Sequence, residues 1–478
     1  MATCELPIHQ QRVLDAPPER LAAVIGSWHE PAILEGCAGF GGAGRWSIYA
    51  ASPRMVFEAT DDRVRIVSEH QAIDVGTDNP LDALAGFALS IVQADPDPEP
   101  EPDRAPFLGG LIGFLGYDLA PWIERLPRRI PRDSRMPDIR MGLYDTAVIH
   151  DRLTGSVTVH AWDLVGEGRF DVERRLNRWT AAIETECPAH DGSIAAGRPL
   201  KLTSTFDRRG YCESVGRVLD YIAAGDIFQV NLSQRFEGRG EIDALNTYLR
   251  LRRHSPAPFS AFLRWDDMAV VSASPEWFYQ TRGPRIVTRP IKGTRPRGAS
   301  PDEDARLAAE LAASPKDRAE LTMIVDLERN DLGRVCQYGS VAVEEALQVE
   351  TFPQVHHLVA TVSGLLRPEI GPIDIVRAMF PGGSITGAPK IRAMEIIDEL
   401  EPNRRGLYTG AIGYLGRGGA SAFNIAIRTI LVEGDRASYQ VGGGIVADSD
   451  PDAEYEETLA KGKALRAVLE GQGGDSAP

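Results

Sequence analysis

The sequence predicts an α+β fold in which layered antiparallel β-sheets are flanked by helices. Short apolar runs such as GRWSIYAASP and FLGGLIGFLGYDLA are interrupted by Gly and Pro, which is typical of antiparallel strands. Longer amphipathic segments concentrate in the second half of the chain. Strand-like and helical segments do not alternate strictly, and this disfavours a doubly wound parallel sheet.

The first half of the chain is predicted as an N-terminal region, residues 1–186, that is mostly strands and ends in a helix near 171–186. Within it, the segment Ala94–Pro106 alternates proline with acids, so an exposed and extended loop is expected. Residues 187–204 are predicted as a linker, because the first part of this stretch is rich in Gly, Pro, Ala and Ser.

The second half, residues 205–470, mixes strands with long helices. Helical periodicity predicts four helices, at Arg209–Ala224, Pro315–Glu328, Pro389–Leu400 and Pro451–Glu470. The runs FQVNLSQRF, FNIAIRTILV and SYQVGGGIV are typical of strands. The last residues, 471–478, are predicted to be a flexible tail.

Charge and composition restrict the possible partners. The 478 residues carry 52 basic and 68 acidic side chains, a formal net charge of −16. Such an acidic protein repels phosphate backbones, so we expect no nucleic-acid partner, and an anionic substrate would need local cations or a metal ion. The five cysteines form no CxxC pair, and no apolar run is long enough to span a membrane. We therefore expect a reduced, cytoplasmic protein without membrane association.

The last predicted helix carries a cluster of charged groups. Asp450 followed by Pro451 is a helix-start signal, and Glu454, Glu457 and Lys461 then share one face. Carboxylates suit a hard cation such as Mg²⁺, which uses only one or two protein carboxylates. The run GGG at 442–444 just upstream allows a ligand to approach the backbone closely. Considered alone, these residues also fit a solvated acidic face.

A second acid, Glu320, lies on the apolar stripe of the predicted helix that begins at Pro315. A carboxylate in such a position is costly unless a cation meets it. A Mg²⁺ ion shared with Glu457 would meet that need. Pairing with Lys316 or Arg318, or contact with water, would serve equally well.

Two segments carry candidate catalytic groups. In PIKGTRPRG, Lys292 is a possible nucleophile if its amine is desolvated, although most lysines are simple surface charges. In SPEWF, Glu276 is a candidate general acid. Tyr408 and Arg428 could bind a carboxylate, or could be a core tyrosine and a paired arginine. The adjacent histidines of QVHHLVA cannot form a metal pair, but one of them can face a substrate.

Several motifs together resemble the chorismate-using synthases. They are SPEWF, PIKGTRPRG, DRAELTMIVDLERNDLGRV, FPQVHHLVATVSG, FPGGSITGAPKIRAMEIIDELEP, LYTGAIGYL, IAIRTI and VGGGIVADSDPDAEYEETLAKGKAL. This group contains anthranilate synthase component I, aminodeoxychorismate synthase component I, isochorismate synthase and salicylate synthase. The resemblance extends from about 205 to 469 and is weaker in the N-terminal region. It implies an anthranilate synthase component I-like fold with a chorismate-binding catalytic region at 205–470.

Two positions indicate which branch of the group the chain resembles. The aminodeoxychorismate synthases characteristically carry a lysine where Lys292 stands, whereas anthranilate synthases usually carry alanine. Gln229 stands where the water-using members carry a lysine base, and glutamine cannot deprotonate water. The resemblance therefore implies amination of chorismate at C4 by ammonia, which leads towards 4-aminobenzoate and folate. Anthranilate synthase component I is the alternative, and a relative that binds such ligands without turnover is a further one.

The same resemblance implies roles for individual residues. Lys292 would form a covalent adduct with the ring, and Glu276 would protonate the leaving hydroxyl. The implied cofactor is Mg²⁺, held by Glu320, Glu457 and, through water, Glu454. The implied substrate-binding residues are Gly293, Thr294, His357, Tyr408, Arg428, Gly442, Gly443, Gly444 and Lys461.

Partners and regulation follow from the resemblance in the same way. Members of this group usually receive ammonia from a separate glutamine amidotransferase subunit, so we expect such a partner. The segment LEGCAG resembles the region where anthranilate synthases bind tryptophan, but it departs from their usual LLES. The resemblance therefore leaves open whether tryptophan binds the N-terminal half.

Overall fold

The structure is a computed structural model that describes residues 8–37, 41–69, 71–92, 104–164, 166–186, 198–352 and 355–471. Most of the predicted acidic loop Ala94–Pro106, residues 187–197 of the predicted linker and residues 472–478 of the predicted tail lie outside these described ranges.

The described residues form 24 strands. In chain order they are β1 His9–Val13, β2 Ala32–Glu35, β3 Trp46–Ala50, β4 Met55–Thr60, β5 Arg63–Ser68, β6 Ala72–Val75, β7 Gly110–Leu115, β8 Ile139–Tyr144, β9 Thr146–Asp151, β10 Ser156–Trp162, β11 Thr203–Ser204, β12 Gln229–Arg239, β13 Phe259–Trp265, β14 Met268–Ser274, β15 Trp277–Arg282, β16 Arg285–Thr288, β17 Ile291–Pro296, β18 Ala342–Thr351, β19 Val355–Leu365, β20 Gly387–Ala388, β21 Ala411–Gly416, β22 Ser421–Ile425, β23 Thr429–Glu433 and β24 Arg436–Ile445.

The same ranges contain 11 α-helices. They are α1 Pro18–Ser27, α2 Pro80–Val92, α3 Ala120–Ile123, α4 Arg169–Glu186, α5 Arg208–Ala223, α6 Ala244–His254, α7 Pro301–Ala313, α8 Pro315–Gly333, α9 Pro372–Met379, α10 Lys390–Leu400 and α11 Pro451–Leu469. No helix among the described residues is long and apolar enough to cross a membrane.

The strands form two antiparallel sheets of 12 strands each. The first has the order β1-β10-β9-β3-β2-β13-β14-β23-β24-β12-β11, and β20 also pairs with β12. The second has the order β17-β19-β16-β15-β22-β21-β7-β8-β4-β5-β6, and β18 also pairs with β19. The predicted α+β class with layered antiparallel sheets is confirmed.

Each sheet consists of an N-terminal half and a C-terminal half that meet at one strand pair. In the first sheet β2 pairs with β13, for example Leu34 with Ala261. In the second sheet β7 pairs with β21, for example Gly113 with Gly413. The predicted linker lies between α4 and the start of β12, so the two predicted regions supply opposite halves of both sheets.

Apolar side chains fill three layers. Between the sheets, Ile48, Phe114, Leu263 and Ile412 belong to one buried cluster. The outer face of the first sheet packs against α1, α4, α6 and α11, and the outer face of the second packs against α2, α8 and α9. Burial on both faces explains why many of these strands are apolar runs rather than alternating ones.

Local signals position the helices that reach the site. Ser314 caps α8 by accepting a hydrogen bond from the backbone N–H of Asp317, and Pro315 occupies the first turn. Asp450 caps α11 in the same way through the N–H of Ala453. Both helix starts were predicted. Helix α8 continues to Gly333, beyond its predicted end, because Leu332 and Val335 still pack into the core.

Candidate active site

A cavity of about 730 Å³ lies in the C-terminal half of the molecule, bounded by β12, β17, α8, β24 and α11. All but one of the predicted site residues line it. They are Glu276, Lys292, Gly293, Thr294, Glu320, His357, Tyr408, Arg428, Gly442, Gly444, Glu454, Glu457 and Lys461. Gly443 is the exception. A Cβ atom on it would lie 2.9 Å from Oε2 of Glu454, so it leaves space on the acidic side of the strand.

The amine of Lys292 lies inside the cavity wall. Its Nζ donates a hydrogen bond to the backbone oxygen of Ser384 at 3.2 Å. Burial lowers the pKa of Lys292, while the carboxylates of Glu276 and Glu320 oppose that shift. A lysine with a lowered pKa carries more of the neutral, nucleophilic amine at physiological pH.

Glu276 is a buried acid of the cavity that can donate a proton. It follows the end of β14, its exposed fraction is 7%, and it lies within electrostatic range of Lys292. Burial raises the pKa of Glu276, and the Ser384 hydroxyl together with Lys292 and Lys461 opposes part of that rise. A carboxyl group with a raised pKa retains its proton at higher pH and can act as a general acid.

Three further acids, Glu320, Glu454 and Glu457, line another part of the cavity. Burial raises the pKa of Glu320 and of Glu454, and the charge of Glu457 adds to both shifts. Burial also acts on Glu457, but its ion pair with Lys461 at 2.7 Å brings its pKa below the ordinary value. Lys316 lies 3.9 Å from Glu320, so the pairing considered from the sequence is present.

These acids define where a metal ion could bind. Among the described residues, no group of three or more His, Cys, Asp and Glu side chains is arranged closely enough to hold a metal by itself. Glu320, Glu454 and Glu457 nevertheless bring carboxylate oxygens to one region of the cavity, where Lys461 and Lys316 compensate part of their negative charge. Such a region suits a hard cation that completes its coordination with water and substrate.

The positive groups of the cavity are distributed on two sides. Besides its ion pair, Lys461 donates a hydrogen bond from Nζ to the backbone oxygen of Gly442 at 2.9 Å. Arg428 has no ion-pair or hydrogen-bond partner for its guanidinium among the described residues, and burial lowers its pKa. Its backbone φ of 50° is in the left-handed region, which is rare for a side chain of this size. An unpaired, half-buried guanidinium is suited to a carboxylate ligand.

The turn after Lys292 contributes neutral groups. Gly293 has a φ of 75°, and a Cβ atom on it would lie 2.8 Å from the carboxyl carbon of Asp317, so a larger residue cannot fit. Oγ1 of Thr294 and Nδ1 of His357 lie 2.9 Å apart. Burial, helped by the charge of Arg428, lowers the pKa of His357 to about 4, so its ring is neutral at physiological pH.

Several cavity residues were not predicted from the sequence. Asn231, Ser384, Lys316 and Gln440 line the cavity together with the predicted ones. Ser384 belongs to the FPGGSITGAPK segment, whose glycines indicate close approach of the backbone to a ligand. Asn231 lies two residues after Gln229 on β12, so both side chains face the same side of that strand.

The LEGCAG segment borders a separate, smaller cavity of about 120 Å³. Its Glu35 is buried and accepts hydrogen bonds from Tyr49 at 2.8 Å, from Arg252 at 2.9 Å and from Tyr248. Residues 38–40 lie outside the described ranges. The carboxylate is therefore satisfied by the protein itself.

Comparison with known proteins shows to which family the chain belongs. The pattern of the chorismate binding enzymes matches residues 42–467. The aminodeoxychorismate synthase component 1 of Klebsiella aerogenes is 43% identical over 426 residues, which cover 89% of this chain and 90% of that protein. The anthranilate synthase component 1 of Thermus thermophilus is 40% identical over 428 residues, with 89% of each chain covered.

A solved structure gives the same result for the fold. The crystal structure of anthranilate synthase component I from Streptococcus pneumoniae aligns with a TM-score of 0.78 and 34% identity, over 88% of this chain and 92% of that one. This similarity confirms the anthranilate synthase component I-like fold. The extent of the family match and of the sequence identity shows that this chain is an enzyme of the chorismate binding family.

Proposed function

We propose that this enzyme converts chorismate and ammonia into 4-amino-4-deoxychorismate, the precursor of 4-aminobenzoate in folate biosynthesis. The observation that carries the proposal is the position of Lys292, with its amine inside the cavity, its pKa lowered by burial, and the acid Glu276 nearby. Relatives named aminodeoxychorismate synthase component 1 support it at 43% and 42% identity.

The first half of the proposed reaction uses these two residues. The neutral Lys292 amine attacks C2 of the ring, the two ring double bonds shift, and the bond between C4 and its hydroxyl breaks. Glu276 donates its proton to the departing oxygen, which leaves as water. Burial suits both residues to these tasks. It lowers the pKa of Lys292, which favours the neutral nucleophile, and raises the pKa of Glu276, which favours the protonated acid.

The second half reverses the first with a different nucleophile. Ammonia forms a bond to C4, the double bonds return to their original positions, and the bond between C2 and Nζ of Lys292 breaks. The proton that ammonia loses returns to the carboxylate of Glu276, and the lysine leaves as a neutral amine. Dividing one difficult displacement into two easier steps is the usual gain of covalent catalysis.

The remaining cavity residues bind and orient the substrate in this proposal. Arg428 and Tyr408, with the backbone of Gly442–Gly444, receive the enolpyruvyl carboxylate, since Arg428 has no protein carboxylate to pair with. Gly293, Thr294 and the neutral His357 contact the rest of the substrate. Lys461 supplies positive charge near the ring carboxylate.

A magnesium ion fits the acidic part of the cavity. Glu320 and Glu457 would be its direct ligands, and Glu454 would act through water. When bound, Mg²⁺ would neutralise the ring carboxylate of chorismate. Glu320, Glu454 and Glu457 otherwise repel an anionic substrate, and the charge of Glu457 adds to the rise that burial causes in the pKa values of Glu320 and Glu454.

We also propose a separate glutamine amidotransferase subunit as the source of ammonia. The reconstituted pair should make the product from glutamine, and the chain alone should need ammonium salts. Gel filtration of the mixture tests the association, and the absence of any glutamine-dependent product would contradict the pairing.

Product identification tests the central proposal. The purified enzyme is incubated with chorismate, MgCl₂ and ammonium at pH 8, and the products are separated by liquid chromatography and mass spectrometry. The expected product is 4-amino-4-deoxychorismate. Anthranilate, which is fluorescent, would instead favour the second candidate, anthranilate synthase component I, which the similarity to the 40% identical Thermus protein supports. Unchanged chorismate would contradict both.

A further inference from the structure

In the described part of the chain, two amide side chains of β12 lack hydrogen-bond partners: Asn231 lines the cavity, and Gln229 lies two residues before it on the same strand. Gln229 is 1% exposed and Asn231 is 8% exposed, and both project from the same face of the strand. Among the described residues, neither Oδ1 of Asn231 nor either polar atom of the Gln229 amide has a partner. Buried polar atoms are nearly always paired, so an unpaired cluster beside a cavity indicates a missing ligand or water.

The backbone of Asn231 is fixed, although its side chain is not. Its N–H donates to the backbone oxygen of Thr386 at 2.8 Å, and its own backbone oxygen accepts from Arg405 at 2.8 Å. No hydrogen bond within the described residues holds the amide, so either its oxygen or its nitrogen can turn towards the cavity that it lines.

The facing strand leaves room for both amides. On β24, a Cβ atom on Gly442 would lie 2.8 Å from Oδ1 of Asn231, and one on Gly444 would lie 2.4 Å from Nε2 of Gln229. Gly444 is the direct register partner of Asn231. Because these two positions have no side chain, the amides lie over the backbone of a strand that itself lines the cavity.

A neutral amide side chain suits a neutral ligand that donates hydrogen bonds. Most other polar side chains of the cavity are carboxyl groups or cations, which suit the charged ends of a substrate and the groups that transfer its protons. An amide oxygen accepts hydrogen bonds from ammonia but neither gives nor takes a proton. It therefore holds ammonia in the neutral form that keeps its lone pair free, whereas a carboxylic acid would convert it to ammonium.

We propose that Asn231, supported by Gln229, binds the ammonia that attacks the ring, with Oδ1 accepting an N–H of the nucleophile. This inference rests on the proposed function, and it identifies the residue that contacts the second substrate. It predicts that replacement of Asn231 weakens the binding of ammonia and leaves the binding of chorismate unchanged.

Steady-state kinetics on the full chain tests the proposal. Initial rates are measured against ammonium concentration at saturating chorismate and MgCl₂ for wild type, Asn231→Leu, Asn231→Ser and the control Ser233→Ala. Ser233 lies on the same face of β12, but its hydroxyl bonds to Glu401 inside the protein. Chorismate affinity and formation of the Lys292 adduct are measured separately without ammonia. A thermal melt verifies that each variant is folded.

The expected result is a rise of about tenfold in the KM for ammonium in Asn231→Leu, the size expected for one lost hydrogen bond. Asn231→Ser, which retains a shorter hydroxyl, should fall between it and wild type, and Ser233→Ala should match wild type. Chorismate affinity and adduct formation should be unchanged in all of them. An unchanged KM for ammonium in folded Asn231→Leu overturns the inference, as does a parallel loss of chorismate affinity. If wild type makes no amine from ammonium at all, the proposed function itself fails.

Discussion

The Nζ of Lys292 lies 3.2 Å from the backbone oxygen of Ser384, and the hydroxyl of the same serine acts on the carboxyl group of Glu276. Ser384, in the 380–388 loop, therefore accepts a hydrogen bond from the proposed nucleophile through its backbone, and its hydroxyl offsets part of the rise that burial causes in the pKa of the proposed acid. Lys292 is on β17 and Glu276 precedes β15, so the loop lines the cavity together with residues from two separate strands.

Replacement of Lys292 should remove the covalent intermediate. Wild type incubated with chorismate and MgCl₂ without ammonia should show a mass increase on the peptide that contains Lys292. Lys292→Ala should not, and Lys292→Arg should not either, because a guanidinium stays charged and is a poor nucleophile. Intact-mass spectrometry checks this. An Ala variant with full activity at low ammonium would rule out the covalent role.

The rate should have a bell-shaped dependence on pH. The reaction requires a neutral Lys292 amine, which is lost at low pH, and a protonated Glu276, which is lost at high pH; burial lowers the pKa of the lysine and raises that of the acid. Glu276→Gln should lower kcat by roughly 10²–10⁴-fold and remove the alkaline limb. Measurement of kcat from pH 5 to 10 decides the assignment, and an alkaline limb that persists in Glu276→Gln would assign it to another group.

Glu276 should also make the folded protein less stable as pH rises. Its pKa is above the ordinary 4.5, so the folded state binds more protons than the unfolded state between those two values. The free energy of unfolding therefore falls as pH rises through that interval. Glu276→Gln cannot lose a proton at this position, so its free energy of unfolding does not fall in this way. The free energy of unfolding of Glu276→Gln minus that of wild type should therefore increase between pH 4 and 8. Urea unfolding at both pH values measures it, and a constant difference would contradict the shift.

Glu457 should be required for metal binding, whereas its neighbour Glu456 should not. MgCl₂ with chorismate should raise the melting temperature of wild type, and Glu457→Gln should largely lose this effect. Glu456→Gln is a matched control on the same helix, because Glu456 faces solvent and pairs with Arg208. Differential scanning fluorimetry measures the melting temperature and does not depend on catalytic turnover. Equal stabilisation of both variants would show that Glu457 is not a ligand of the metal.

Arg428 should act on substrate affinity. Loss of a charge-assisted pair of hydrogen bonds predicts that Arg428→Ala weakens chorismate binding by about 10–150-fold. Arg428→Lys should bind chorismate more tightly than Arg428→Ala but more weakly than wild type, since lysine cannot form the bidentate contact. Equilibrium binding without ammonia, with exposed Arg329→Ala as a control, measures the change. Wild-type affinity in Arg428→Ala would place the carboxylate elsewhere.

Local rules were sufficient for part of this structure. The helix starts at Pro315 and at Asp450–Pro451, and the shared face of Glu454, Glu457 and Lys461, depend on residues a few positions apart, and all were predicted. The contact between Lys292 and Ser384 depends on strand pairing and on a loop far along the chain, so no local pattern indicates it. The position of Asn231 could not be predicted for the same reason. A strand's alternation shows which residues share a face, but not which face borders a cavity.

The junctions β2–β13 and β7–β21 have a consequence for synthesis of the protein. When the ribosome has produced the first 186 residues, β2 and β7 still lack their partner strands β13 and β21, and β21 is made only near the end of translation. Open strand edges readily pair with other chains. Because β2 and β7 find these partners only in the C-terminal half, a chain that ends before β21 lacks the strand that covers β7, and we expect such truncated chains to aggregate rather than fold.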